Sequence, residues 1–116
     1  MGVFPLEKYR FDLLLIRETA DRIIQDFESF GLEIVFSGNE RFAYEELTAQ
    51  LKPFFEELTG KNKPLLMRIL YKIDISEQKL AKTREAYPQA SLPEVISHLV
   101  VEREMQKVIT RKMFKP

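Results

Sequence analysis

Glu94, His98 and Glu102 are the residues in this chain best spaced to share a chemical task, because positions four apart lie on one face of a helix. Imidazole and carboxylate groups bind zinc, so this face could hold a metal ion with help from elsewhere in the chain. The alternative is a solvated stripe of polar side chains. Three ligands spread over two turns of a straight helix do not converge, and we therefore favour the stripe.

The sequence contains few other residues of the types that catalytic sites need. The chain has no cysteine and one histidine, which excludes disulfides, thiolate metal sites, cysteine nucleophiles and any site built on two imidazoles. Phosphate-binding glycine loops and the common hydrolase motifs are missing as well. Glu45, Glu46, Glu56 and Glu57 could act as paired acids, but a solvated face is the more frequent role for such residues. We expect no enzyme, no metal and no cofactor.

Residues 66–85 fit a helix-turn-helix template loosely. In it Ile69 and Ile73 would pack the first helix and Ile75 the turn, and the exposed face of the second helix would contact DNA. The residues predicted to face DNA are Lys79, Lys82, Thr83 and Arg84. The turn position that usually needs glycine is Asp74, and a small residue expected in the first helix is Leu70. The alternative is an ordinary helical corner with a lysine-rich exterior.

The elements that would position these residues are helices. Apolar residues recur from Leu6 to Phe30 at alternating spacings of three and four, and Gly31 follows as a helix-ending residue. With Pro5 in the first turn, this pattern predicts a long N-terminal helix. Its stripe could pack inside the monomer or form the seam of a dimer.

The next segments are less regular. Glu33–Phe36 has the composition of a strand, and we interpret it as an extended connector, with pairing between subunits as the alternative. Ser37 and Glu40 have the spacing of a helix cap. Pro53 should break or kink the helix that follows, because proline lacks a hydrogen-bond donor and crowds the preceding turn.

Three more helices complete the expected fold. Asn62 and Pro64 begin one, Asp74 with Glu77 caps a short one up to Ala86, and Ser91 with Glu94 caps the last, Leu92 to about Lys112. The last helix is apolar on nearly all sides at its start, so it should be central. We predict an all-α protein: residues 1–116 form a single compact domain of five or six helices, with the long N-terminal helix packed on a central C-terminal helix.

Charge and hydropathy bear on compartment and partners. The net charge is zero, but residues 1–60 carry six basic and twelve acidic side chains, and residues 61–116 the reverse. The longest apolar run, Leu13–Ile16, is too short for a membrane span or a signal sequence, so we expect a cytoplasmic protein that does not enter membranes.

The function is not apparent from any motif. The leading hypothesis is a protein–protein interaction module, binding itself as a homodimer or another protein through aromatic residues near the connector and Pro53. The candidate contact residues are Phe36, Phe42, Phe54 and Phe55. The alternative is a DNA-binding module that uses the corner Ile69–Arg84.

Overall fold

The computed structural model describes residues 12–113, and these residues form five α-helices and a 3₁₀ turn with no strand. The helices are α1 (Leu13–Glu28), α2 (Ala43–Lys61), α3 (Lys63–Ile73), α4 (Glu77–Ala86) and α5 (Leu92–Met113), and the 3₁₀ turn is Glu40–Phe42. The all-α prediction is confirmed. Leu6, Tyr9 and the other residues expected to begin the first helix at Pro5 lie outside the described residues.

α5 is the centre of the fold, and all four other helices contact it. Ser91 and Glu94 cap it reciprocally: the Ser91 N–H donates to Glu94 Oε1 at 3.2 Å, and the Glu94 N–H donates to Ser91 Oγ at 3.3 Å. Burial extends around most of its circumference. The predicted cap and the predicted central position are both confirmed.

α1 packs on α5 inside the monomer. Ile16, Ala20, Ile23 and Phe27, which follow the predicted stripe, are buried in the common core. Leu13 and Leu14, in the first turn of α1, are more than half exposed. After the helix, Gly31 takes a φ of 85° and the Leu32 N–H returns to the Phe27 carbonyl, as the sequence predicted for its end.

The segment after α1 is an extended connector without a strand partner among the described residues. The side chain of Gln50 on α2 takes that place: the Val35 N–H donates to Gln50 Oε1 at 3.0 Å, and Gln50 Nε2 donates to the Val35 carbonyl at 2.8 Å. Ser37 does not cap a helix with Glu40, because both its amide and its hydroxyl donate to Glu46. Asn39 caps the 3₁₀ turn instead.

α2 continues through Pro53, so a break at Leu51–Pro53 is wrong, while a kink there stays a prediction. Packing on both sides of the proline explains the continuity, because Leu51 and Phe55 are fully buried in the core. α2 ends at Lys61, and Asn62 caps α3 by accepting from the Leu65 N–H at 3.2 Å, as expected.

α4 has the predicted bounds but a different cap. Ser76 accepts from the Lys79 N–H at 3.0 Å, while Asp74 ends α3 in the left-handed conformation with a φ of 71°. Arg103 of α5 fixes this turn by donating to both the carbonyl and the carboxylate of Asp74. Within residues 12–113 no helix is long and apolar enough to cross a bilayer.

Candidate functional site

The predicted contact surface of four phenylalanines is mostly core. Phe55 is 0% exposed, and Phe54 and Phe36 are partly buried against the core. The rings of Phe54 and Phe55 both meet the ring of Phe27 edge-to-face, at 6.1 and 5.9 Å between centroids. Burial therefore removes Phe55 from the candidate surface and leaves Phe42, at 59% exposed, as its accessible member.

The predicted DNA-facing residues do not share one face. Thr83 is buried, and its hydroxyl donates to the Lys79 carbonyl at 2.8 Å, so it does not face solvent. Lys79 approaches Glu102 of α5 at 3.9 Å. Lys82 and Arg84 are exposed as predicted. Ile69, Ile73 and Ile75 are buried as the template requires, and Asp74 takes the conformation usually given to glycine. DNA binding stays a prediction, and two of its four proposed contact residues, Lys82 and Arg84, are exposed.

The Glu94–His98–Glu102 face is not a solvated stripe. Glu102 has a side chain only 5% exposed, with Oε2 3.2 Å from His98 Nε2. Glu94 at the other end is engaged by Ser91 and by Lys52, whose Nζ lies 3.9 Å from Oε1. Ser91 first and Lys52 second hold the pKa of Glu94 below its usual range. The three groups do not converge, and in the described part of the chain no cluster of three such ligands could hold a metal ion.

A hydroxyl from α2 completes a polar chain that the sequence did not reveal. The Tyr44 hydroxyl lies 2.8 Å from His98 Nδ1, on the opposite side of the imidazole from Glu102. His98 Nε2 and Glu102 Oε2 approach to 3.2 Å without hydrogen-bond geometry, and neither atom has a hydrogen-bond partner among the described residues. The negative charge of the carboxylate nevertheless favours a proton on the nearer nitrogen, which leaves Nδ1 to accept from the Tyr44 O–H. The order carboxylate, imidazole, hydroxyl is the arrangement that orients a side chain for hydrogen bonding or proton transfer.

Tyr44 is suited to donate a hydrogen bond and poorly suited to attack a substrate. Burial raises the pKa of its phenol, and the carboxylates of Glu45 and Glu102 raise it further. The phenol is therefore protonated at neutral pH, since the ordinary value is already near 10. The chain Tyr44–His98–Glu102 positions a neutral hydroxyl and does not generate a phenolate.

Tyr44 and His98 form part of the wall of a cleft of about 500 Å³ between α2, α4 and α5, and Glu102 lies behind His98. Clefts of this size accommodate small organic molecules. Its lining is Tyr44, Glu45, Thr48, Ala49 and Lys52 of α2, Thr83 of α4, Tyr87 and Ala90 of the following connection, and Glu94, Val95, Ser97 and His98 of α5. Apolar walls with a few converging polar groups are typical of ligand sites.

A second polar cluster lies on the α1 side of α5. Glu104 is fully buried, with Oε1 3.5 Å from Arg22 Nε and 3.7 Å from Lys107 Nζ. Burial raises the pKa of Glu104 to about 7, and the Asp26 carboxyl adds to that rise, while Lys107 and Arg22 oppose it. Glu104 does not line the cleft, and its cluster is an internal feature of the α1–α5 interface.

Comparison of the chain with protein-family models, with curated proteins and with solved structures finds no match.

Proposed function

We propose that this protein is a ligand-binding module whose site is the cleft between α2, α4 and α5. The observation that carries the proposal is the Tyr44–His98–Glu102 chain in the wall of that cleft. Burying a carboxylate and a half-buried imidazole costs stability unless they have partners. Here His98 holds the Tyr44 hydroxyl at the edge of a cavity, while His98 Nε2 and Glu102 Oε2 have no hydrogen-bond partner among the described residues. Polar groups that converge on a cavity are typical of a specific binding site.

The geometry favours binding over catalysis. Tyr44 stays protonated, as its raised pKa requires, and Lys52 is engaged with Glu94. A tyrosine nucleophile needs its proton removed, and here burial and two neighbouring carboxylates oppose that step. The site therefore supports recognition of a ligand through hydrogen bonds and apolar contact.

Filling the cleft tests the proposal. Ala49 lines the cleft from an exposed position on α2, so Ala49→Phe would occupy the cavity without disturbing the core. Ala81→Phe is the matched control, since Ala81 is exposed on α4 and does not line the cleft. The measurement is a thermal-shift screen of small organic fragments against the full chain.

We expect a subset of fragments to raise the melting temperature of the wild type and of Ala81→Phe, because a ligand that binds only the folded state stabilises it. The same fragments should leave Ala49→Phe unchanged. Equal shifts in all three proteins, or no shift from any fragment, would overturn the cleft as the binding site.

Self-association is a second candidate, favoured by two exposed apolar side chains on neighbouring elements. Phe42 of the 3₁₀ turn and Leu14 of α1 are each 59% exposed. The ion pair between Arg17 and Glu40, 2.8 Å long, joins the two elements that carry them. A second copy of the chain could cover this apolar pair.

Light-scattering mass over a range of concentrations tests self-association. We expect a mass above the monomer for the wild type and a monomer for Phe42→Ser, since a polar side chain there removes the apolar contact. Tyr71→Ser on α3 is the control, because Tyr71 is the more exposed at 89% and should leave the mass unchanged. A monomeric wild type would remove this candidate.

A further inference from the structure

We propose that the ligand of the cleft is a small organic ammonium ion, an amine with a compact apolar body. This inference rests on the proposed function and specifies the chemistry of the same site. Three features of the cleft support it: the balance of charge, the placement of two aromatic rings and the way the cleft wall already holds an ammonium group.

The charged side chains around the cleft have a net negative charge. Glu45 lines the cleft and forms no ion pair with any described residue. Glu94 and Lys52, also in the lining, offset each other across 3.9 Å. Behind His98, Glu102 is faced by Lys79 at the same distance. Glu45 is thus the carboxylate left without a cation, and an ammonium ion in the cleft would supply one.

The negative charge around the cleft affects the Tyr44 hydroxyl. The carboxylates of Glu45 and Glu102 both act to raise the pKa of its phenol, so they lie close enough to disfavour a further negative charge at that point. The same field that disfavours a phenolate would disfavour a carboxylate or phosphate ligand and would favour a cation.

Two tyrosine rings provide apolar and π surface. Tyr44 and Tyr87 both line the cleft, and each is 38% exposed. Tyr87 is among the groups that raise the pKa of the Tyr44 phenol, so the two side chains lie near each other. A cation gains attraction over the face of a tyrosine ring, and the apolar body of an amine gains from covering it.

The contact of the Lys52 ammonium with Glu94 shows that carboxylates of the cleft wall can hold an ammonium group. The ammonium approaches Glu94 Oε1, an oxygen that also accepts from the Ser91 N–H. A free amine entering the cleft would find the same kind of partner in Glu45, about two turns from Lys52 on the same helix. The cleft volume of about 500 Å³ fits a single small molecule and not a folded segment of a partner.

Three probes of matched shape test the ligand class on the full chain at low salt and neutral pH: 2-phenylethylamine, 2-phenylethanol and 3-phenylpropanoate. Binding is followed by NMR through the backbone amide signals of Tyr44, Ser97 and His98. We expect the amine to bind about tenfold more tightly than the alcohol, the ratio that about 1.4 kcal/mol produces. The carboxylate should bind more weakly than either.

Glu45→Gln should reduce amine affinity severalfold and leave the affinity for the alcohol unchanged. Glu57→Gln is the control, an exposed glutamate on the same helix outside the cleft. Both positions are exposed, so neither change should affect folding. Added salt should weaken the amine and not the alcohol, because screening acts on the charge.

The other outcomes are distinct. Equal affinity for all three probes, with shifts at the cleft, would overturn the ammonium assignment and leave the binding site standing. Binding of an Ala-Lys-Ala peptide without binding of the free amine would transfer the site to a partner protein's lysine and overturn the small-molecule ligand. If none of the three probes shifts the cleft signals, the result would count against both the ammonium ligand and the proposed binding site.

Discussion

Glu102 and Glu104 lie two residues apart on α5 and therefore point to nearly opposite sides of the helix, where they meet different surroundings. Glu102 faces His98 and Lys79 behind the wall of an open cleft, and His98 in turn contacts the Tyr44 hydroxyl. Glu104 is closed between α1 and α5, with Arg22, Lys107 and Asp26 around it. The Glu102 side chain is 5% exposed, and the Glu104 side chain is 0% exposed.

Glu102 and Glu104 show how different surroundings give one residue type two roles. Beside the cleft, the Glu102 carboxylate lies against an imidazole whose other nitrogen contacts the Tyr44 hydroxyl. In the α1–α5 interface, burial outweighs the two cations, and the pKa of Glu104 rises to about 7. We propose that the first cluster belongs to a ligand site, and we expect the second to couple folding to pH.

The strongest way to separate the two clusters is Glu104→Gln. A pKa near 7 in the folded state and an ordinary value of 4.5 in the unfolded state mean that the folded protein holds a proton between those pH values that the unfolded chain releases. The free energy of unfolding of the wild type should therefore fall as pH rises through that window. Glutamine carries no proton to release. The free energy of unfolding of the variant, relative to that of the wild type, should therefore rise by up to about 3 kcal/mol from acid to alkaline pH.

Urea unfolding of both proteins at about pH 5 and pH 8 measures this gain. Asp21→Asn is the control, because Asp21 is exposed on α1 and should follow the wild type at both pH values. If Glu104→Gln and the wild type keep a constant difference, Glu104 does not couple folding to pH.

Pro53→Ala examines the helix that forms the cleft wall. Pro53 lies inside continuous α2, where proline gives up one hydrogen bond and crowds the turn before it. Alanine should raise the free energy of unfolding by about 1–2 kcal/mol, less than the full proline penalty because alanine also frees the unfolded chain.

Pro64→Ala supplies the comparison for this change. Pro64 lies in the first turn of α3, where proline costs little, so alanine there should stabilise nothing. A Pro53→Ala protein with wild-type stability would indicate that α2 bends at the proline and gains no hydrogen bond from the substitution.

Glu102→Gln is expected to act in the opposite direction to Glu104→Gln at alkaline pH. Replacing the carboxylate removes the approach to Lys79 and weakens the contact with His98, at a cost of about 1 kcal/mol. The proton on His98 would no longer be held on Nε2, and the imidazole ¹⁵N signals should show a changed tautomer. Unaltered ¹⁵N signals would mean that Glu102 does not orient the imidazole.

The smallest effect is expected for Lys82→Ala with Arg84→Ala on α4. Both side chains are exposed, so their removal should change stability by no more than about 0.5 kcal/mol. We expect the wild type not to retard duplex DNA at about 50 mM salt, since Lys79 faces Glu102 and Thr83 is buried. Retardation by the wild type that this double variant abolishes would establish the DNA-binding alternative instead.

Features set by neighbouring residues were predictable from the sequence. The Ser91–Glu94 cap, the end of α1 at Gly31 and the bounds of α4 each depend on a few adjacent side chains. The cap of α4 was placed at Asp74, because both Asp74 and Ser76 precede the helix at plausible spacing. Arg103 decides between them by binding Asp74 from α5, a contact that no local pattern contains.

The features that failed depend on contacts distant in the chain. Pro53 does not break α2 because Leu51 and Phe55 are both held in the core. Tyr44 and His98 are 54 residues apart, and Arg22 and Glu104 are 82 apart, so neither polar cluster could be assembled from spacing. An acidic residue on a helix is usually exposed, which is why burial of Glu102 and Glu104 was not expected.

The two buried carboxylates also determine how α5 is oriented within the bundle. A helix with apolar side chains on nearly every side could turn about its axis and still bury a comparable apolar surface. A turn by one residue, about 100°, would take Glu102 away from Lys79 of α4 and Glu104 away from Arg22 of α1, which would leave two buried carboxylates without these cations. The apolar residues thus provide cohesion, whereas the glutamates select one rotational register, and with it the side of α5 on which the cleft lies.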